Sequence, residues 1–176
     1  QMAADGYVAV HEAGVGSRAM SVVEQLEEEG RLPIRFYAML SLRDEELIRR
    51  WIAKGPDKDN DSMLVTRAVK AYYDGALGSR GARLLYDYED QPGHRGVSGD
   101  GYGFDQALNA AAMKAGFQVA IHAIGDAGNR EALDILEAVL EEDPSTRNNR
   151  HRIEHAQVID PDDIPRLGQL GIIASM

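Results

Sequence analysis

Two histidines set the chemistry open to this chain. Val119-Ala-Ile-His122 and Arg152-Ile-Glu-His155 are short strand-like runs that each end on an imidazole, and 33 residues separate the two rings. Neutral imidazole is a ligand for zinc, iron, nickel or manganese. A histidine at a strand end also serves as the hydrogen-bond partner of a loop, and for either residue alone the two roles weigh equally. Two histidines at equivalent places shift the balance toward a metal. Lys70 is the third residue of interest. In Arg67-Ala-Val-Lys70-Ala-Tyr72-Tyr-Asp74 the two-residue period of a strand puts Lys70, Tyr72 and Asp74 on one face. A lysine inside a strand is costly unless it is paired or modified. The competing reading is an edge position, or a chain that snorkels to a carboxylate such as Asp74.

The elements that would position these residues alternate. Strands are expected at Tyr7–His11, Ile34–Leu40, Val65–Tyr73, Gln118–His122, His151–His155 and Ile172–Ser175. Helices are expected at Ser17–Glu29, Asp44–Lys54, Phe104–Ala115, Asn129–Glu142 and Pro161–Leu170, with Gly30, Gly55-Pro56, Gly116 and Asp143-Pro144 as stops. Six strands with intervening helices make five βαβ crossovers, which favours a parallel sheet or barrel. Gly75 to Gly103 reads as a long loop, either functional or a disordered insertion. An open doubly wound sheet predicts the same alternation. The first strand, however, ends His11-Glu-Ala-Gly14-Val-Gly16, which lacks the G-x-G-x-x-G spacing of a dinucleotide site.

Composition narrows the classes. The 176 residues are 44% hydrophobic, enough for one substantial core but short of the ~250 residues of a complete eight-stranded barrel. A formal charge of −10 argues against nucleic acid or an anionic membrane as partner. No run approaches the ~20 apolar residues of a membrane span, so a cytoplasmic enzyme acting on a small molecule is the expectation, and a homo-oligomer is compatible with it. Without cysteine, any metal relies on His, Asp, Glu or a modified lysine.

Four motifs occur in order: Val69-Lys-Ala-Tyr-Tyr-Asp-Gly-Ala-Leu-Gly-Ser-Arg-Gly-Ala82, Gln91-Pro-Gly-His-Arg-Gly96, Ile121-His-Ala-Ile-Gly-Asp126 and Arg152-Ile-Glu-His-Ala-Gln157. Together they closely resemble the metal-dependent amidohydrolase superfamily, in particular its branch of YtcJ-like hydrolases and N-substituted formamide deformylase. The resemblance implies a (β/α)8 TIM barrel of which residues 1–176 form one partial domain, truncated at both ends and covering about strands two to seven. It implies one or two divalent ions, zinc first among them, with Lys70 carboxylated and bridging and with His122 and His155 as further ligands. It implies hydrolysis of a non-peptide C–N bond in a small amide, formamide or cyclic amide. The family's His-x-His pair and its eighth-strand aspartate, the general base, have no counterpart here, and the base is expected beyond Met176.

Other polar residues carry less. Arg80 could hold a substrate carboxylate or carbonyl, or equally form a salt bridge within its acidic loop. His94 is either exposed or a substrate contact. His11, read as ending the first strand, is expected to pack a loop, His151 to be structural, and Asp126 and Asn129 to cap a helix. Two alternatives stay open: a barrel enzyme in which unmodified Lys70 forms a Schiff base with a carbonyl substrate, and a non-catalytic barrel or binding module that has lost its site.

Overall fold

The computed structural model describes residues 1–176 as one six-stranded sheet, all neighbours parallel, in sequence order. The strands are β1 (Ala9–Val15), β2 (Arg35–Ser41), β3 (Leu64–Tyr72), β4 (Gln118–Ala123), β5 (Arg152–His155) and β6 (Ile173–Ser175). Five helices connect them: α1 (Ser17–Glu28), α2 (Glu45–Lys54), α3 (Gln106–Lys114), α4 (Asp126–Glu142) and α5 (Ile164–Leu170). The unbroken 1-2-3-4-5-6 order has no switch point at which strand order reverses, so the doubly wound alternative is excluded. The sheet curls into a half-barrel of the α/β class.

Alternation along the strands builds two layers. On the convex side Val69, Ala71, Val119, Ile121, Ala123 and Ile153 join a single apolar core with the helix residues Leu108, Met113, Leu133, Leu136 and Leu140. On the concave side Met39, Ala68 and Ala120 make a small separate cluster beneath Tyr37. Strands buried on both faces explain the near-continuous apolar runs in the sequence. Local chemistry sets the helix starts. Asp44 caps α2 through the Leu47 amide at 3.1 Å, and Asp105 caps α3 through the Leu108 amide at 2.8 Å.

Three expectations are corrected. The first strand runs Ala9–Val15, not Tyr7–His11, so His11 lies mid-strand with its ring stacked on Tyr37 at 4.5 Å. Asn129 does not cap α4, and Asp126 does so only in part, its Oδ1 accepting the Ala127 amide of the first turn at 2.9 Å. Gly125 is the cap residue, Asp126 accepts the Leu85 amide at 2.9 Å, and Asn129 is buried, its Nδ2 donating to the Gly125 and Val158 carbonyls. The 75–103 segment is ordered: Leu84 and Tyr88 donate to the carbonyls of Arg95 and His94, Val97 donates to Gly81, and two short 3-10 turns frame it.

Candidate active site

His122 and His155 meet at the carboxyl ends of β4 and β5, with ring centroids 4.6 Å apart in an edge-on arrangement. The backbone explains how they meet. Register pairs His122 with Glu154 and Ala123 with His155, and paired residues of neighbouring strands point to the same side of the sheet. Alternation alone would send His155 outward with Ala123. Instead His155 has φ +75 and Ala156 φ +42, a left-handed turn that swings the imidazole back over His122. Such a backbone costs on the order of 1–3 kcal/mol for a non-glycine residue and persists where the surroundings over-determine it.

Lys70 lies one strand over, on β3, where register sets Tyr72 beside His122 and Lys70 beside Ala120. Its side chain is buried, with Nζ 3.0 Å from the Ala71 carbonyl and 3.8 Å from the centre of the Tyr72 ring. Burial pushes its pKa down to about 8; the Glu154 carboxylate opposes that shift, and Arg43 and Arg152 add to it. Glu154 shares the concave face, accepting from Arg152 Nε at 2.6 Å and from Ser175 Oγ at 3.0 Å. Glu154 and Arg152 are residues of this face that the strand-end histidine pattern does not mark. Their i, i+2 spacing ahead of His155 was the available signal.

His122 is neutral at ordinary pH. Burial, then the charges of Lys70 and His155, push its pKa down to about 4, and hydrogen bonding to the Gly75 backbone works the other way. Its Nε2 is buried without a hydrogen-bond partner and sits 3.6 Å from Asp74 Oδ1. Asp74 is not a partner of Lys70. Fully buried, it accepts the backbone amides of Arg83, Ile124 and Gly125, each at 2.9 Å, and so fastens the loop to the β4–α4 junction. Burial raises its pKa while those three amides lower it.

Arg80 and His94 sit together inside the loop. The guanidinium contacts both oxygens of Asp90 at 2.8–3.1 Å, and His94 Nε2 lies 2.7 Å from the Arg80 carbonyl oxygen. His151 is buried at the opposite end of the sheet, where Nδ1 accepts the Val119 amide at 3.1 Å. No three His, Cys, Asp or Glu side chains are grouped as a metal site. A metal at the imidazole pair therefore needs a further donor, and Lys70 is the buried side chain beside it. A free lone pair on His122 and a second imidazole against it suit a divalent ion.

The fold and site define a parallel α/β barrel-type sheet with its polar side chains gathered at the carboxyl ends of the strands, where barrel enzymes do their chemistry. A model of the Amidohydrolase family matches residues 1–176, and the chain belongs to that family. It is 44% identical over 108 residues to Protein LONG AFTER FAR-RED 3 of Arabidopsis thaliana, an overlap of 61% of this chain and 18% of that one. It is 32% identical over 157 residues to YtcJ of Bacillus subtilis (strain 168), covering 87% of this chain and 27% of that protein. Among solved structures, an uncharacterized metal-dependent hydrolase from Pyrococcus furiosus superimposes with a TM-score of 0.81 at 29% identity, over 98% of this chain and 35% of that one. A corresponding hydrolase from Pyrococcus horikoshii OT3 gives 0.82 at 28%, over 98% and 34%. The chain thus spans between about a fifth and a third of the length of these relatives. No helix is long and apolar enough to cross a membrane.

Proposed function

We propose that these residues hold the metal of a hydrolase that cleaves a non-peptide C–N bond, in an amide, formamide or cyclic amide of a small molecule. The observation that carries this reading is the convergence of His122 and His155 at 4.6 Å, with His122 Nε2 buried and unpartnered. Family membership and the metal-dependent hydrolases among the structural neighbours support it. His122, His155 and Lys70 are the proposed ligands, and zinc, as one or two ions, is the proposed metal. When bound, such an ion acts as a Lewis acid and lowers the pKa of a bound water toward neutrality. The lysine's part follows from its burial. At pH 7 an amine with a pKa near 8 is neutral in roughly a tenth of molecules, against well under a thousandth for an ordinary lysine. The neutral amine can add carbon dioxide, forming an N–C bond and losing a proton, to give a carbamate with two oxygen donors. His155, exposed at the mouth, is held over His122 by the left-handed backbone beneath it. The loop that carries Arg80 and His94 leaves β3 at this mouth, and either residue would meet substrate only by giving up its present partner, Asp90 for Arg80 and the Arg80 carbonyl for His94.

The test uses the natural full-length protein. Metal content by atomic emission, hydrolysis of a panel of formamides and cyclic amides, and 13C NMR under labelled bicarbonate are measured on the wild type and on His122→Ala. The expected result is bound zinc, activity lost to chelators, and a carbamate signal. Metal content unchanged by His122→Ala would sink the ligand assignment. A borohydride-trapped adduct at Lys70 would move the reading to a Schiff-base enzyme.

A further inference from the structure

Arg43 stands two residues beyond β2, at the same end of the sheet as the imidazole pair. Its guanidinium carbon lies 4.6 Å from the centre of the Tyr72 ring and 5.1 Å from that of Tyr102, and Nη2 donates to the Tyr102 carbonyl at 3.1 Å. Unlike Arg80, Arg95, Arg130 and Arg166, each of which meets a carboxylate, Arg43 makes no ion pair. Tyr72 is itself fixed. Its ring also lies against Lys70 and is 5.7 Å from His122, and its hydroxyl rests where a side chain at Gly14 would begin, 2.9 Å from that position. Gly14 has φ +109, so glycine there satisfies both the backbone and the tyrosine.

The guanidinium is therefore oriented by two aromatic faces and one carbonyl, while donors on Nε and Nη1 stay unspent. Tyr72 links it to the site, since the same ring lies against Lys70 and 5.7 Å from His122. A fixed, unpaired guanidinium is the group suited to two-pronged recognition of a planar anion. We infer that Arg43 is the anion clamp of this site and that the substrate carries a carboxylate close to its scissile C–N bond, as an N-acyl amino acid does. The inference rests on the proposed hydrolase reading for the identity of that bond, and on Arg43 and its aromatic cage for the anion.

The experiment separates the two. Calorimetry on the metal-free full-length protein compares N-acetylglycine with its neutral counterpart N-acetylglycinamide, so that no metal–carboxylate bond contributes. The wild type is expected to bind the carboxylate at least about tenfold more tightly, Arg43→Met to lose that preference, and Arg43→Lys to recover part of it. Equal binding of the two ligands by the wild type, or an undiminished preference in Arg43→Met, overturns the clamp. Hydrolysis of both compounds is then followed in the zinc-loaded protein. If the binding preference holds while amides are not cleaved under any metal load, the clamp stands and the hydrolase reading fails.

Discussion

His151 is a buried imidazole and His122 a half-buried one, and both have pKa values pushed down to about 4 with desolvation as the first cause. They sit at opposite ends of the β4–β5 pair and do different things. His151 Nδ1 accepts the Val119 amide, which fixes the tautomer and leaves Nε2 as a proton-bearing nitrogen unable to bind a cation. Nε2 of both rings lacks a hydrogen-bond partner, but no backbone amide donates to His122, whose Nε2 lies 3.6 Å from Asp74 Oδ1 with a second imidazole against the ring. Depressed basicity marks both. What separates a candidate ligand from a strut is which nitrogen keeps its lone pair.

Substitutions at the two ends should diverge. At the mouth, His122→Ala or His155→Ala is expected to lower kcat/KM for amide hydrolysis by about a thousandfold, roughly 4 kcal/mol of transition-state stabilisation, with little change in unfolding free energy. Parallel losses of activity and stability would erase the distinction drawn here. Next in size, Asp74→Ala strips the acceptor from three buried amides and is expected to cost about 3–4 kcal/mol in urea unfolding. A loss under 1 kcal/mol would show that the loop does not depend on that carboxylate.

At the floor, the effect is on pH dependence. An unfolded histidine takes up a proton below about pH 6.5, whereas folded His151 stays neutral down to about 4. Stability that is complete above pH 6.5 is thus lost as the pH falls toward 4, by up to about 3 kcal/mol for this residue. His122 titrates in the same direction in the metal-free protein, so His151→Leu should remove about half of the acid slope as well as about 2 kcal/mol at pH 7. An unchanged slope would show that the floor imidazole titrates freely. The smallest effect belongs to Arg80→Ala, whose exposed, solvent-screened ion pair with Asp90 should leave the melting temperature almost unchanged; a clear drop on thermal melting would make the pair part of the loop's framework.

The sequence made the alternation of elements legible because parallel strands buried on both faces read as apolar runs, and glycine or proline stops the helices. Lys70, His122 and His155 were legible as candidate ligands, the lysine from its place inside an apolar strand and the histidines from their strand ends, all three through motif. The end of β1 was not, since Gly14 and Gly16 read as loop while the strand continues through Gly14 to Val15. Nor was the role of Asp126, whose carboxylate serves a loop amide 41 residues earlier in the chain. Arg43 went unremarked because what distinguishes it, a guanidinium held by Tyr72, Tyr102 and one carbonyl but by no carboxylate, exists only in the folded chain.

The Asp74 hub has a kinetic corollary. One carboxylate holds amides from the loop and from the turn into α4, and glycine at 125 and 128 leaves no room for a side chain where the Arg83 backbone and Asp74 press in. The amides of Arg83, Ile124 and Gly125 should therefore exchange with deuterium at one shared opening rate, although about 40 residues of chain lie between them. Any fluctuation that releases the loop also loosens the segment that follows His122, so loop and imidazole pair open and close as one unit.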